Sequence, residues 1–226
     1  MKIERYESGG KEITFYLSQQ VDQPLIILNN FTGDGKTVVM ELLRYHTEDF
    51  NLLSIGNLQW DHDMSPWYCE PIMEGDAPCT GGALPYLDLL VSRILPEALE
   101  KVQGTPAYTG IAGYSLAGLF ALYAMYQTDV FDRVATMSGS FWFPGFKNYV
   151  FTHTMKRKPE KVYLSLGDKE ARTGNKVLNT VQSNTEEIVE YLRRQSMKVE
   201  WELNPGNHFQ QAALRSAKGI AALLKD

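Results

Sequence analysis

Along the 226 residues, apolar runs too short for a helix alternate with longer stretches in which apolar positions recur every three or four residues. The runs PLIILNN (24–30), FNLLSIG (50–56), PAYTGIAG (106–113), RVATMS (133–138), KVYLSL (161–166) and KVEWELN (198–204) read as strands. Residues 36–45, 83–101, 116–126, 176–195 and 209–224 read as helices. In the fourth of these, Val177, Val181, Ile188 and Leu192 share one face while Glu186, Glu187, Arg193 and Arg194 point elsewhere, so that face belongs to a core. Mostly apolar strands alternating with helices predict a largely parallel sheet covered on both faces, because each crossover must pack back onto the sheet. The opening KIERYES and KEITFYLS, joined by Gly9–Gly10, instead predict an antiparallel hairpin at one edge. The chain has no internal repeat, low-complexity tract or linker, and residues 1–226 are expected to form a single domain.

Residues 57–82 break the pattern. NLQWDHDMSPWYCEPIMEGDAPCTGG shows neither period 2 nor period 3.6, and a connection of this length inside a compact domain is uncommon unless it has a task. Two readings stand: a wall of the ligand site, or a packed surface loop that buries its own aromatics.

Composition narrows the function. A net charge of −5 without a basic stripe argues against nucleic acid, whose binding depends on clustered Lys and Arg; Lys156, Arg157 and Lys158 form only a short, solvated cluster. The opening residues lack the apolar core of a signal peptide, and no run of about 18 apolar residues could span a bilayer, so a soluble, cytoplasmic protein without membrane partners is expected. Cys69 and Cys79 lie in one irregular stretch and are expected to be free thiols.

The chemistry lies in TGIAGYSLAGLFALYAMY (109–126). Gly113 and Ala117 flank Ser115 at two residues' distance, which lets a strand turn sharply into a helix and leaves the hydroxyl exposed on the corner. A serine hydroxyl becomes a nucleophile only when a positioned base takes its proton. On such sheets the members follow in the order Ser, acid, His, which leaves His153 and His208 among the four histidines. His153 falls in a polar stretch resembling a helix end. His208 follows the strand KVEWELN and the turn Pro205–Gly206–Asn207, on the rim that carries Ser115, and is preferred. The acid should follow KVYLSL, where spacing alone admits both Asp168 and Glu170. An oxyanion hole needs two backbone N–H groups: Leu116 supplies one, and the loop after PLIILNN the other, with Phe31 the candidate ahead of Thr32 and Gly33.

With these residues assembled, nearly the whole chain resembles the esterase D and enterochelin esterase-like family of α/β-hydrolases. The matching pieces are LNNF, DMSPW, GYSLAG, SGSFWF, LGDKE and PGNHF, although Asn29–Asn30 stands where the family often has Asp-Gly. The resemblance implies an α/β-hydrolase fold, a three-layer sandwich whose central sheet is mostly parallel. It places the acid three residues after the glycine ending its strand, at Glu170 rather than Asp168. It also implies a serine esterase acting on a small-molecule ester through an acyl-enzyme, with no metal or organic cofactor. Thioester cleavage of the S-formylglutathione hydrolase kind is the alternative, and a homodimer is compatible. Trp60, Trp67, Tyr68, Trp142 and Phe143 are candidates to line an acyl or aryl pocket, and Trp67, Tyr114 and Trp142 are the residues expected to contact substrate. No insertion is large enough for a separate lid, so apolar or aromatic acyl groups of modest size are expected.

Three other readings fit the sequence less well. TGDGKT resembles a phosphate-binding loop, but the motif aligned on Gly35–Lys36–Thr37 needs glycine at position 30 and finds Asn30. His62 and Asp63 lack a third ligand at suitable spacing for a metal. A catalytically silent binding protein of the same fold is disfavoured because every catalytic role has a candidate in the right chain order.

Overall fold

The computed structural model describes residues 1–45 and 49–225. The elements in chain order are β1 (Lys2–Ser8), β2 (Lys11–Leu17), β3 (Leu25–Asn29), α1 (Lys36–Leu42), β4 (Asn51–Gly56), α2 (Trp60–Asp63), β5 (Tyr68–Cys69), β6 (Cys79–Thr80), α3 (Ala83–Leu89), α4 (Leu95–Leu99), β7 (Thr109–Tyr114), α5 (Leu116–Gln127), β8 (Arg133–Met137), α6 (Phe146–Thr152), β9 (Lys161–Gly167), α7 (Val181–Arg194), β10 (Val199–Asn204) and α8 (Ala212–Leu224). Eight strands form one sheet in the order β1-β2-β4-β3-β7-β8-β9-β10. The β1–β2 hairpin pairs antiparallel to β4 at one edge, and all pairings from β4 through β10 are parallel. This is the three-layer α/β-hydrolase arrangement that the resemblance implies, with the edge hairpin that the pattern predicts.

Alternation along β3 shows how the layers divide. Leu25 and Ile27 point into the core beneath α3, α4 and α5, whereas Ile26 and Leu28 point into the core beneath α1 and α8. Helix α5 is buried from Leu116 through Tyr126, which explains why its sequence carries no polar stripe. Residues 83–99 run as one helical stretch with a π-turn at Leu90–Ile94, two residues ahead of Pro96, whose missing N–H breaks the regular ladder.

Two helix starts lie later than the periodicity predicts. The Asn175 carboxamide oxygen accepts the amides of Val177 and Leu178, so the segment turns before α7 begins at Val181, and Val177 is exposed. Likewise, Gln211 sits at φ 57, so α8 begins at Ala212 and His208 stays on a loop.

Residues 57–82 hold α2 and the β5–β6 ribbon, fastened at several points. The buried Asp63 carboxylate accepts from Lys11 at 2.5 Å and from the Gln59 amide at 2.9 Å. His62 Nδ1 lies 2.7 Å from Thr80 Oγ1. Cys69 and Cys79 face each other across the ribbon as free thiols, and burial pushes both up, Cys79 to about 12. No helix among the described residues is long and apolar enough to cross a membrane.

Candidate active site

Because β3, β7, β8, β9 and β10 run parallel, the loops leaving them open on the same rim, where ligands bind on such sheets. A cleft of about 870 Å³ occupies that rim. It is bordered by Phe31 after β3, Ser115 after β7, Ser140 and Trp142 after β8, Glu170 after β9 and His208 after β10.

Ser115 takes φ 60 and ψ −125, a strained backbone for a non-glycine residue costing on the order of 1–3 kcal/mol. The surroundings hold it there. Its amide donates to the Met137 carbonyl at 3.0 Å, and its own carbonyl accepts from the amides of Gly118, Leu119 and Ser140 at 3.0–3.1 Å. A Cβ on Gly113 would lie 2.1 Å from the Ala117 carbonyl oxygen, so the strand can enter this corner only as glycine. Ala117 itself is fully buried, and its small side chain meets the same requirement. As the first residue of α5, Leu116 carries an amide with no intrahelical carbonyl to bond, at the positive end of a 12-residue helix.

His208 and Glu170 complete a continuous line with the serine. His208 Nε2 lies 3.0 Å from Ser115 Oγ, and Nδ1 lies 2.7 Å from Glu170 Oε2. The Glu170 amide donates to the Gly167 carbonyl, a tight turn that swings the carboxylate under the imidazole. Burial pushes this carboxyl up, but hydrogen bonds from His208, Ser138 and the Gly167 amide, with the attraction of His208, outweigh it and leave Glu170 below its ordinary value of 4.5. Asp168 faces the other way: its Oδ1 accepts the Gly206 amide at 2.8 Å and so braces the histidine loop instead of touching the ring.

The remaining expected residues divide. Phe31 lines the cleft; the residue is 67% exposed and its ring sits edge-on to Trp60 at 5.1 Å. Trp142 also lines it. Tyr114 borders the cleft while its hydroxyl donates to the His208 carbonyl at 2.6 Å, so it holds the histidine loop as well. Trp67 is turned away. Its Nε1 donates to the Pro144 carbonyl and its ring packs among Phe143, Phe146 and Tyr149, because that aromatic cluster offers it more apolar area than the open rim. His153, the discarded base, stacks on Tyr149 as the C-cap of α6.

Sequence reading missed three groups at the site. Ser138 donates to Glu170 Oε1 at 2.7 Å, and Ser140 Oγ lies 3.4 Å from Ser115 Oγ. Arg215, fully buried on α8, donates to Glu170 Oε1 at 3.0 Å. An arginine on the otherwise apolar inward stripe of a helix was the available signal for the last.

A family model named Esterase, described as "Putative esterase", matches residues 57–213. The chain belongs to that family of ester-hydrolysing enzymes. An uncharacterised Bacillus subtilis protein, YbbA, is 21% identical over 84% of this chain and 81% of its own length. Among solved structures, an IroE-like serine hydrolase from Shewanella oneidensis superposes with a TM-score of 0.79 at 17% identity, over 99% of this chain and 79% of that one. The siderophore hydrolase EstA from Aspergillus nidulans superposes with a TM-score of 0.73 at 17% identity, over 98% of this chain and 94% of that one. At these identities the esterase's structural likenesses speak for the fold alone.

Proposed function

We propose that this esterase hydrolyses a small-molecule carboxylic ester through an acyl-enzyme on Ser115, with His208 as base and Glu170 as its orienting acid. The observation that carries this reading is the unbroken line Ser115 Oγ, His208 Nε2, His208 Nδ1, Glu170 Oε2, at 3.0 and 2.7 Å. With Nδ1–H donated to the carboxylate, Nε2 is free to accept the serine proton as Oγ attacks the ester carbonyl. The amides of Leu116 and Phe31 stabilise the oxyanion that forms. His208 then protonates the departing alkoxide, and water repeats the sequence on the acyl-serine, returning the enzyme and releasing the acid.

The cleft supports apolar or aryl acyl groups. At about 870 Å³ it lies within the size range of small-ligand sites, and Phe31, Trp60, Ile72, Met73, Trp142 and Phe209 give it an apolar lining. The siderophore and IroE-like hydrolases that share the fold are consistent with an ester substrate.

A fluorophosphonate probe should label the protein once, with the adduct on Ser115 by peptide mass mapping. A panel of p-nitrophenyl, aryl and thioesters should give the highest kcat/KM among apolar or aryl acyl esters of modest size. Labelling elsewhere, or activity confined to large polar esters, would overturn the reading.

Phe209 tests the aryl preference. It is 86% exposed, edge-on to the His208 ring at 5.2 Å, so bound substrate would cover it. Phe209→Ala should raise KM for an aryl ester about 10-fold, equivalent to about 1.4 kcal/mol of lost contact, with kcat within about twofold. Michaelis curves for aryl and acetyl esters measure this; an equal effect on both would remove Phe209 from the acyl site.

A further inference from the structure

Arg215 is wholly shielded from solvent, yet its guanidinium reaches four parts of the site at once. Nη1 donates to Glu170 Oε1 at 3.0 Å, to Ser138 Oγ at 3.1 Å and to the Tyr114 hydroxyl at 3.3 Å, while Nη2 donates to the Pro205 carbonyl at 3.0 Å. Glu170 belongs to the loop after β9, and Pro205 lies three residues before His208 in the loop after β10. Tyr114, bonded by the same Nη1, passes the connection on to the His208 carbonyl. Gly167 leaves room for the group: a Cβ there would sit 2.9 Å from both terminal nitrogens.

Taking a cation out of water is costly, and an apolar side chain of similar volume often serves a core as well as a buried ion pair or better. Stability alone therefore gives no reason for a guanidinium here. Its geometry does. Ser138, the Gly167 amide and Arg215 occupy Oε1 with three donors, which leaves Oε2 for the imidazole. The fork of the guanidinium simultaneously fixes the backbone that carries the imidazole.

We propose that Arg215 is a positioning residue of the hydrolytic centre: its rigid fork ties the Glu170 carboxylate to the His208 loop and so sets the Nδ1–Oε2 hydrogen bond that orients the imidazole. This rests on the reading of Ser115, His208 and Glu170 as the catalytic groups. A lysine would reach one of these partners as a point charge but could not span them.

The test is kcat per fluorophosphonate-titrated site on an aryl ester, using the full chain and the variants Arg215→Met and Arg215→Lys. Arg215→Met should lose about 10- to 100-fold in kcat per titrated site with KM within about twofold, since small misplacements of catalytic groups cost rates of this order. Arg215→Lys should recover part of that loss, remaining at least about threefold below wild type. In a Glu170→Gln background, Arg215→Met should cost less than about twofold more, because the bond it supports is already gone. A purely structural arginine would lower the titratable fraction and Tm but leave kcat per titrated site unchanged. Full kcat per site in either variant, or an equal loss in both backgrounds, overturns the proposal. Should Arg215→Met not fold, Arg215→Lys decides by the same measure. A wild-type protein that the probe does not label refutes the Ser115 reading itself, whereas a labelled protein indifferent to Arg215 refutes only this inference.

Discussion

Ser115→Ala is expected to lower kcat on a p-nitrophenyl ester by about 10⁵- to 10⁶-fold, in line with removal of a nucleophile from such a constellation. The size follows from what the hydroxyl does in this geometry. Its Oγ is the hydroxyl that His208 Nε2 is placed to deprotonate, at 3.0 Å, and alanine removes both the nucleophile and the proton that the imidazole would take. The oxyanion donors, being backbone amides, survive the substitution, so a residual rate of about 10³- to 10⁴-fold over water should remain. Backbone geometry should survive too: the bonds holding the corner run through the Ser115 amide and carbonyl, to Met137, Gly118, Leu119 and Ser140, and none involves the side chain. The variant should therefore show a wild-type circular dichroism spectrum and still bind substrate. A kcat within tenfold of wild type, measured on protein purified free of host esterases, would mean that ester cleavage proceeds elsewhere.

How much of this was legible without a structure varies with the physics of each element. The inner parallel strands were readable because they are buried on both faces and therefore mostly apolar, as in LIILN of β3 and KVYLSLG of β9, whereas the half-exposed edge strand β10 showed itself by alternation in VEWELN. Helix α6 was not: FKNYVFT is aromatic and β-branched, and it is helical because Phe146 and Val150 dock into the core. The β5–β6 ribbon has two residues per strand, too few to show a period. At the site, the placing of Ser115 and His208 on one rim was readable from turn chemistry, a small-residue corner and a Pro-Gly turn. The choice between Asp168 and Glu170 came from family resemblance, because both lie within one turn of Gly167 and only the three-dimensional path of that turn separates them. Trp67 was misplaced because an aromatic in an irregular loop carries no sign of the face it takes. Arg215 acts across 45 residues of sequence, and no local pattern reports such a contact.

Glu170→Gln should lower kcat by about 10⁴-fold while Asp168→Asn stays within about threefold of wild type, the former by analogy with the Asp→Asn change in a serine protease triad. The reason lies in the donors around Oε1. Ser138, the Gly167 amide and Arg215 all point at that oxygen, so a glutamine must place its carbonyl there and its NH₂ where Oε2 was. The NH₂ then faces His208 Nδ1, forces it to accept, and puts the imidazole proton on Nε2, where it blocks transfer from Ser115. Asparagine at 168 keeps an oxygen able to accept the Gly206 amide, so the loop survives. The same carboxylate governs acid stability. Because folding leaves Glu170 below its ordinary 4.5, the unfolded carboxyl takes up its proton first as pH falls. The stability that Glu170 contributes is whole above the ordinary carboxylate range and drains away as pH drops through its depressed folded value. Glutamine does not titrate, so the Tm difference between wild type and Glu170→Gln should narrow steadily on acidification below 4.5. The reverse ranking of the two variants in kcat, or a Tm difference that widens in acid, would move the orienting role from Glu170 to Asp168.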